Sequence, residues 1–432
     1  MFYLSLIFAR CAYLILHTTG LSAGTSIIGK FVLRINPNFL EQCNKYIGTK
    51  INVTGTNGKT TTSGIVSHLI KGNGKNIVSN AMGANMLTGV VNAISVSLNP
   101  FKKTDYSVIE SDEAYLAKIY EKFDADYLLV TNLFRDQLDR YGELETTKRL
   151  IQDGINKRPY IKLILNADDP LVASFEGKNK IFYGVENVYY ADDSLKADTS
   201  VEEAFNCPCG KPLMYEKKFY AQQGHYFCTC GYKRPVPEYK AEISLYKEYS
   251  ILKINGENFE VPLVGLFNAY NALGAIALCK ELGIDNIADT LPTFKVAFGR
   301  SEVKYLNGKH TLIQLIKNPI GANEVLKTVD KDSNILIIIN DNYADGRDVS
   351  WLWDAEFEFL KNAKKEIVVS GIRANDMALR LKYAGVEKIK IIQDIDKAVE
   401  YIGKSADNNI TILPTYTALL HINKMKCLKG NR

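Results

Sequence analysis

Two blocks of alternating apolar strands and helical patterns predict an α/β chain, and a polar, cysteine-rich stretch interrupts the first block. The alternation calls for a parallel sheet covered by helices on both faces, once in a central domain and again in a C-terminal Rossmann-like domain. Strand-like runs at 50–54, 106–109, 127–130 and 161–165 make the first block. Runs at 335–339, 366–369, 388–392 and 410–413 make the second, with helical patterns at 374–383 and 396–402. The 432 residues, at roughly 150 per domain, suit about three domains, or two with an insertion. At 46% hydrophobic and 23% charged, the composition excludes collagen, coiled coil and wholesale disorder. A net charge of +5 is too small to argue for nucleic acid, and it permits an anionic membrane surface or a phosphorylated substrate.

Taken in order, residues 1–47 form an N-terminal helical segment. Residues 2–16 are apolar but broken by Arg10, and no basic stretch precedes them, so a secretory signal fits poorly. The run is too short for a membrane span. A helix packed on the body of the protein is the expectation, with an amphipathic helix on a membrane surface as the alternative.

The central domain, 48–297, begins with a buried strand followed by Gly55-Thr56-Asn57-Gly58-Lys59-Thr60-Thr61-Thr62 and a helix over 63–71 that ends at Gly72-Asn73-Gly74. Strand, glycine turn and helix make the context a phosphate-binding loop needs. Glycines let backbone N–H groups face an anion, and the helix N-terminus adds its positive end. Lys59 would reach the outer phosphates, and the Thr60 hydroxyl would bind Mg²⁺. Only two residues separate the glycines where the common pattern has four, and a plain glycine turn is the bland alternative. A Mg²⁺ ion also wants a carboxylate. Glu110, ending the strand Ser107-Val108-Ile109-Glu110, is the first candidate, with Asp112 and Glu113 as rivals.

From about 200 to 237 the alternation stops. Four of the eight cysteines fall here, as Cys207-Pro208-Cys209-Gly210 and Cys228-Thr229-Cys230-Gly231, two matching turns separated by 18 residues. Such clustering points to metal in a reducing compartment rather than to a disulfide framework, hence to a cytoplasmic chain, with a peripheral place at the inner membrane face as an extension. Two Cys pairs each followed by Gly fit a zinc ribbon with four thiolates, although ribbon turns usually read Cys-x-x-Cys; His225 could replace one ligand, and a reduced, metal-free loop is the rival. Alternating strands resume over 239–264, a helix follows over 268–281, and the boundary falls near Phe298-Gly299-Arg300, leaving 298–432 as the C-terminal domain.

The loop at 55–62 resembles the shortened ATP loop of the Mur ligases. Thr131-Asn132-Leu133-Phe134-Arg135-Asp136-Gln137-Leu138-Asp139, Asn166-Ala167-Asp168-Asp169-Pro170, Asn268-Ala269-Tyr270-Asn271-Ala272 and Gly299-Arg300 are similar to further signatures of that family. Within it, the cysteine-rich insertion and Asn340-Asp341-Asn342-Tyr343-Ala344-Asp345-Gly346-Arg347-Asp348-Val349-Ser350-Trp351 resemble the MurT-type subset, the synthetase subunits of lipid II isoglutaminyl synthases. Amino-acid-adding members typically carry His where Gln137 stands and a Tyr-Ala-His run near Lys317-Asn318-Pro319, and both His are missing here.

The resemblance implies ATP held by Thr56, Asn57, Gly58, Lys59, Thr60 and Thr61 with Asn271 nearby, Mg²⁺ at Thr60 and Glu110, and Arg300 helping to close the site. It implies Zn²⁺ at Cys207, Cys209, Cys228 and Cys230. It further implies a GatD-type glutaminase partner whose Cys-His pair is completed by Asp348, and lipid II as the substrate. As a residue, Asp348 also reads as a cap for the helix that follows. Lys317, Asn318 and Asn323 are guesses for the stem-peptide grip by proximity in the family pattern.

Independently of any family, none of the cysteines lies in a Gly-x-Cys-x-Gly turn followed by His-x-Glu, so the chain has no glutaminase of its own and nitrogen must come from a second polypeptide or from ammonium. Two other readings differ in outcome. A stand-alone ligase of the Mur or folylpolyglutamate synthase type would join an amino acid to a carboxylate without a partner. A nucleotide-dependent scaffold would bind ATP and form no ADP.

Overall fold

The computed structural model describes residues 1–19, 26–80, 84–134, 144–191, 206–295, 300–405 and 408–430. They fall into two compact units, the first ending at Lys295. Three helices open the first unit: α1 (Phe2–Thr19), α2 (Ile27–Ile35) and α3 (Phe39–Cys43). Phe2, Leu6 and Ala9 recur on one side of α1 at helical spacing and are buried with Ile28 and Val32 of α2 and with Val90 and Ile94 of the helix Leu87–Ser97. The N-terminal segment is therefore a helix packed on the body of this unit. Among the described residues, no helix is long and apolar enough to cross a membrane.

The sheet of this unit is built from β1 (Ile47–Thr54), β2 (Ile77–Ser79), β3 (Thr104–Glu110), β4 (Tyr127–Val130), β5 (Lys162–Asn166) and β6 (Asn179–Tyr190), all parallel, in the order β2-β3-β1-β4-β5-β6. Next comes the insertion, where β7 (Met214–Tyr220) and β8 (Gln223–Phe227) pair as a separate two-stranded sheet. Then β9 (Tyr239–Leu245) adds in parallel beside β6, and β10 (Ser250–Ile254) and β11 (Glu257–Val261) finish that edge antiparallel. The chain leaves β1 toward β2 and β3 on one side and returns to β4 on the other. The loop after β1 thus sits where strand order reverses, the place at which open α/β sheets bind ligands.

The second unit repeats the plan. Strands β14 (Asn334–Ile338), β15 (Ile367–Ser370), β16 (Ile389–Ile391) and β17 (Asn409–Pro414) run parallel to one another and to β13 (Lys309–Gln314), while β12 (Arg300–Leu306) and β18 (Leu428–Gly430) close one edge antiparallel. The order is β16-β15-β14-β17-β13-β12-β18. Successive residues of β14 feed two cores: Ile335 and Ile337 pack on one face, Leu336 and Ile338 on the other. Both faces being covered explains why β14 reads as an unbroken apolar run.

Candidate active site

The loop after β1 leads directly into α4 (Lys59–Gly72). Gly55 has φ 122° and Gly58 φ 82°, conformations that favour glycine. Space makes the same demand: a Cβ on Gly55 would lie 2.4 Å from Thr131 Oγ1, and one on Gly58 would lie 1.9 Å from Asn271 Oδ1. Asn271, from the helix Leu266–Glu281, therefore rests against the loop. The short spacing between the glycines is compensated from β4. The Thr56 N–H donates to the Asn132 carbonyl (2.9 Å), the Asn57 N–H to Asn132 Oδ1 (2.9 Å), and the Thr131 hydroxyl to the Asn57 carbonyl (2.7 Å). Thr56 Oγ1 donates to the Phe134 carbonyl and accepts from its N–H. With the loop fixed, the first amides of α4, which have no carbonyl a turn earlier to bond, remain available for an anion. Thr61 is buried in that first turn.

Beside the loop lies a carboxylate cluster. Thr60 Oγ1 donates to Glu110 Oε2 at 2.7 Å, and Asn85 Nδ2 donates to Glu110 Oε1 at 3.1 Å. Asn80 bonds both the N–H and the carbonyl of Glu110 (2.8 Å each), which sets the angle of that side chain. Lys59 Nζ makes a buried ion pair with Glu113 Oε1 at 2.8 Å and bonds the Gly55 and Thr56 carbonyls. Burial works against its charge, but Glu113, Asp112 and Glu110 outweigh that and hold the ammonium above its usual range. Burial pushes Glu113 up, with Lys59 opposing and Asp112 adding to the rise. The rivals for Mg²⁺ thus separate by neighbour: Glu110 faces Thr60, and Glu113 faces Lys59. A hydroxyl and a buried carboxylate within hydrogen-bond distance are an oxygen donor set that suits Mg²⁺. Sequence reasoning does not pick out Asn80 and Asn85, and Asn132 enters only within the motif at 131–139; for Asn80 and Asn132 the one available signal is a polar residue just past a strand end.

The motif at 166–170 is architectural. Asp168 is fully buried and accepts from Arg234 Nε (2.6 Å), the Tyr270 hydroxyl (2.8 Å) and the Val185 N–H (2.7 Å), joining the insertion to the helix Leu266–Glu281. Asp169 caps the short helix Pro170–Ala173 through the Leu171 and Val172 N–H groups and also accepts from Leu133 N and Gln222 Nε2. Burial pushes its carboxyl up to about 6 against those donors.

In the insertion, the sulfurs of Cys207, Cys209, Cys228 and Cys230 all lie within 4.8 Å of one another. The Cys207 and Cys230 sulfurs lie 3.4 Å apart and those of Cys209 and Cys228 3.6 Å apart. A tetrahedral Zn²⁺ with arms of ~2.3 Å needs sulfurs about 3.8 Å apart, so the four thiolates fit the ion. The two turns are near copies: Gly210 N bonds Cys207 O and Gly231 N bonds Cys228 O, with φ 84° and 96° at the glycines. His225 is no ligand. Its Nε2 lies 2.8 Å from the Val185 carbonyl and its ring meets Phe219 edge-on.

In the second unit, Asp348 lies on the loop that follows β14, beside the point where strand order reverses between β14 and β17. Its Oδ1 accepts from the Ser350 N–H at 2.8 Å just before the short helix Trp351–Asp354, and the residue is partly exposed. The capping role is therefore present, and it uses one of the two carboxylate oxygens. The loop's anchor is Asp345, which takes the Thr417 hydroxyl and N–H (2.5 and 2.7 Å) and the Asn342 N–H (3.1 Å). Burial raises the Asp345 carboxyl against those donors. Asn318 caps the helix Pro319–Thr328 by accepting from the Gly321 N–H, and Asn323 accepts from the Glu356 N–H. Arg300 begins β12, but its side chain lies outside the described residues, as do Arg135, Asp136, Gln137, Leu138 and Asp139.

The Mur ligase middle domain model matches residues 53–279, and the MurT ligase C-terminal model matches 315–419. The chain is 36% identical over 408 residues to the lipid II isoglutaminyl synthase (glutamine-hydrolyzing) subunit MurT of Staphylococcus aureus, covering 92% of this chain and 91% of that one. It is 33% identical to the subunit of the same name from Streptococcus pneumoniae, over 98% and 96% of the two chains. Among solved structures, a pseudomurein peptide ligase type C from Methanothermus fervidus superposes with a TM-score of 0.69 at 23% identity, covering 94% of this chain and 84% of that chain.

Proposed function

Because the chain belongs to the MurT family within the Mur ligases, we propose that it is the ATP-dependent synthetase subunit of a lipid II isoglutaminyl synthase. The reaction is amidation of the α-carboxylate of D-glutamate in the lipid II stem peptide, giving D-isoglutamine for peptidoglycan. A carboxylate resists ammonia because oxide is a poor leaving group. Its oxygen instead attacks the γ-phosphorus of ATP, releasing ADP and leaving an acyl phosphate. Ammonia then adds to the acyl carbon, the C–O bond to phosphate breaks, and amide and inorganic phosphate leave.

The observation that carries this reading is the Thr60–Glu110 pair beside Lys59 at the head of α4. Phosphoryl transfer asks chiefly for positioning and neutralised charge. In our reading Thr56, Asn57, Gly58 and Thr61 supply the fixed loop, Lys59 turns from Glu113 toward the outer phosphates, and Asn271 borders the nucleotide. Thr60 and Glu110 would hold Mg²⁺, which when bound neutralises charge on the transferring phosphate. Arg300 is assigned to charge stabilisation as the site closes. The four cysteines would hold Zn²⁺ with thiolates alone, which suits a structural role.

Nitrogen enters through a GatD-type glutaminase subunit, since this chain has no cysteine nucleophile in the required setting. Asp348 orients the histidine of that subunit's Cys-His pair. Ammonia delivered from such a partner stays unprotonated, whereas dissolved ammonium is largely not nucleophilic at neutral pH.

The test mixes the purified chain with ATP, Mg²⁺, lipid II and a high concentration of ammonium salt, and follows the carboxylate-to-amide mass change. Amide and ADP formed in equal amounts are the expected result. Product only with an added amino acid would favour the stand-alone ligase, and bound nucleotide without ADP would favour a scaffold.

A further inference from the structure

The inner side of α1 is core, but its outer side is apolar too. Tyr3, Leu4, Ile7, Leu14 and Ile15 share one side at steps of three, four and seven residues and are 51, 60, 59, 64 and 59% exposed. α2 continues the surface with exposed Ile27 and Phe31, the latter meeting Phe8 of α1 edge-on. On the other flank Phe101, 89% exposed, stacks near Tyr3 at 6.4 Å between ring centres. Single exposed apolar residues are ordinary, whereas a continuous surface from two helices and a loop marks a contact site.

Charge selects the partner. The first 40 residues contain Arg10, Lys30 and Arg34 and no Asp or Glu, and Lys102 and Lys103 follow Phe101. All five basic residues are exposed. Apolar side chains fringed mainly by cations match the two layers of an anionic bilayer surface, acyl chains below and phosphates above. An 18-residue helix is about 27 Å long, and lying flat it offers its whole outer side to the boundary region while its inner side stays packed on protein.

We infer that the outer face of α1 and α2, with Phe101, is a peripheral membrane site that rests on an anionic phospholipid surface. This goes beyond the amidation reading and does not require it.

The experiment is co-sedimentation of the full chain with vesicles of phosphatidylcholine alone, or mixed with phosphatidylglycerol, with lipid II omitted. The chain is expected to sediment with the mixed vesicles, to bind the neutral ones more weakly, and to dissociate as salt rises. The variant L4D/I7D/L14D is expected to lower partitioning by ~10-fold or more. K102E/K103E is expected to lower it by roughly five-fold per charge on mixed vesicles only. F101E, on a loop, repeats the apolar test outside the helix and stays informative if the triple variant fails to fold. Circular dichroism and ammonium-driven amidation of a short-chain lipid II analogue serve as controls and are expected to be unchanged. No partitioning of the unmodified chain would overturn the inference. So would vesicle binding indifferent to these substitutions, or a face whose mutation instead dissolves a dimer or releases the glutaminase subunit.

Discussion

The loop after β1 and the loop after β14 occupy equivalent places, each at the carboxyl ends of a parallel sheet where strand order reverses, yet they are finished to different degrees. At the first, Thr56, Lys59, Thr60, Glu110 and Glu113 are buried or bonded, and each finds its partners within the same unit. At the second, Asp345 is locked in, whereas Asp348 stands partly exposed with one oxygen turned to Ser350. A site that must move a phosphoryl group excludes water and pre-sets its charges. A carboxylate meant for another chain's histidine has to stay on the surface until that chain arrives. In the proposed reading, the contrast separates what this polypeptide does alone from what it does with a glutaminase partner.

Replacing Lys59 strikes the enclosed loop hardest. Lys59→Ala should cut amidation about 10³-fold or more, equally with ammonium or with glutamine plus the partner. It also strands Glu113, a loss of roughly 3–5 kcal/mol for a broken buried pair unless the carboxyl takes up a proton; thermal unfolding alongside rates distinguishes the two effects. Asp348→Asn should break the symmetry between nitrogen sources. Glutamine-driven turnover falls by about 10²-fold or more, while the ammonium-driven rate is kept. Loss of both rates would remove Asp348 from the partner's triad.

Cys209→Ser, or chelation, should destabilise the first unit by several kcal/mol, since binding of a structural zinc is folding energy. The unfolding transition of the second unit should not move. Asp345→Ala removes the acceptor for Thr417 and Asn342 and should lower glutamine-driven turnover on the order of 10-fold through a misplaced Asp348, with ammonium-driven turnover again spared. The smallest effect is a pH slope. Asp169 titrates at about 6 when folded and at ~3.9 when unfolded. The folded state holds its proton more tightly, so the stability it contributes is fully present below about pH 4 and is lost as pH rises through 6. In urea unfolding, Asp169→Asn should flatten that part of the profile.

How much of this was legible in the sequence follows from how local each determinant is. Strands such as 127–130 and the helix 374–383 could be read because both faces of the sheets are buried and the helices are amphipathic. Lys59, Thr60 and the cysteines sit in contiguous motifs whose chemistry is tied to spacing, and Glu110 ends a recognisable strand. Reading the strand end already placed Glu110 first, but the sequence could not show that its carboxylate, and not that of Glu113, meets Thr60 at the head of α4. Nor could it dismiss His225, whose ring turns to the Val185 carbonyl on a distant strand. Asp168 and Asp169 read as signature residues, but only packing reveals them as ties between the insertion, β6 and a helix. Asp345 lies inside the motif at 340–351, but nothing local marks it as an anchor, since its partner Thr417 is 72 residues away.

The central claim is that the stem-peptide carboxylate is activated by phosphate at the loop headed by Lys59. Lipid II labelled with ¹⁸O in the D-glutamate α-carboxylate tests it most directly, with ammonium as the nitrogen source and inorganic phosphate analysed by mass spectrometry. The account predicts one labelled oxygen carried into phosphate for every amide formed, and neither product from Lys59→Ala. Amide accompanied by unlabelled phosphate, or undiminished transfer in Lys59→Ala, would contradict it.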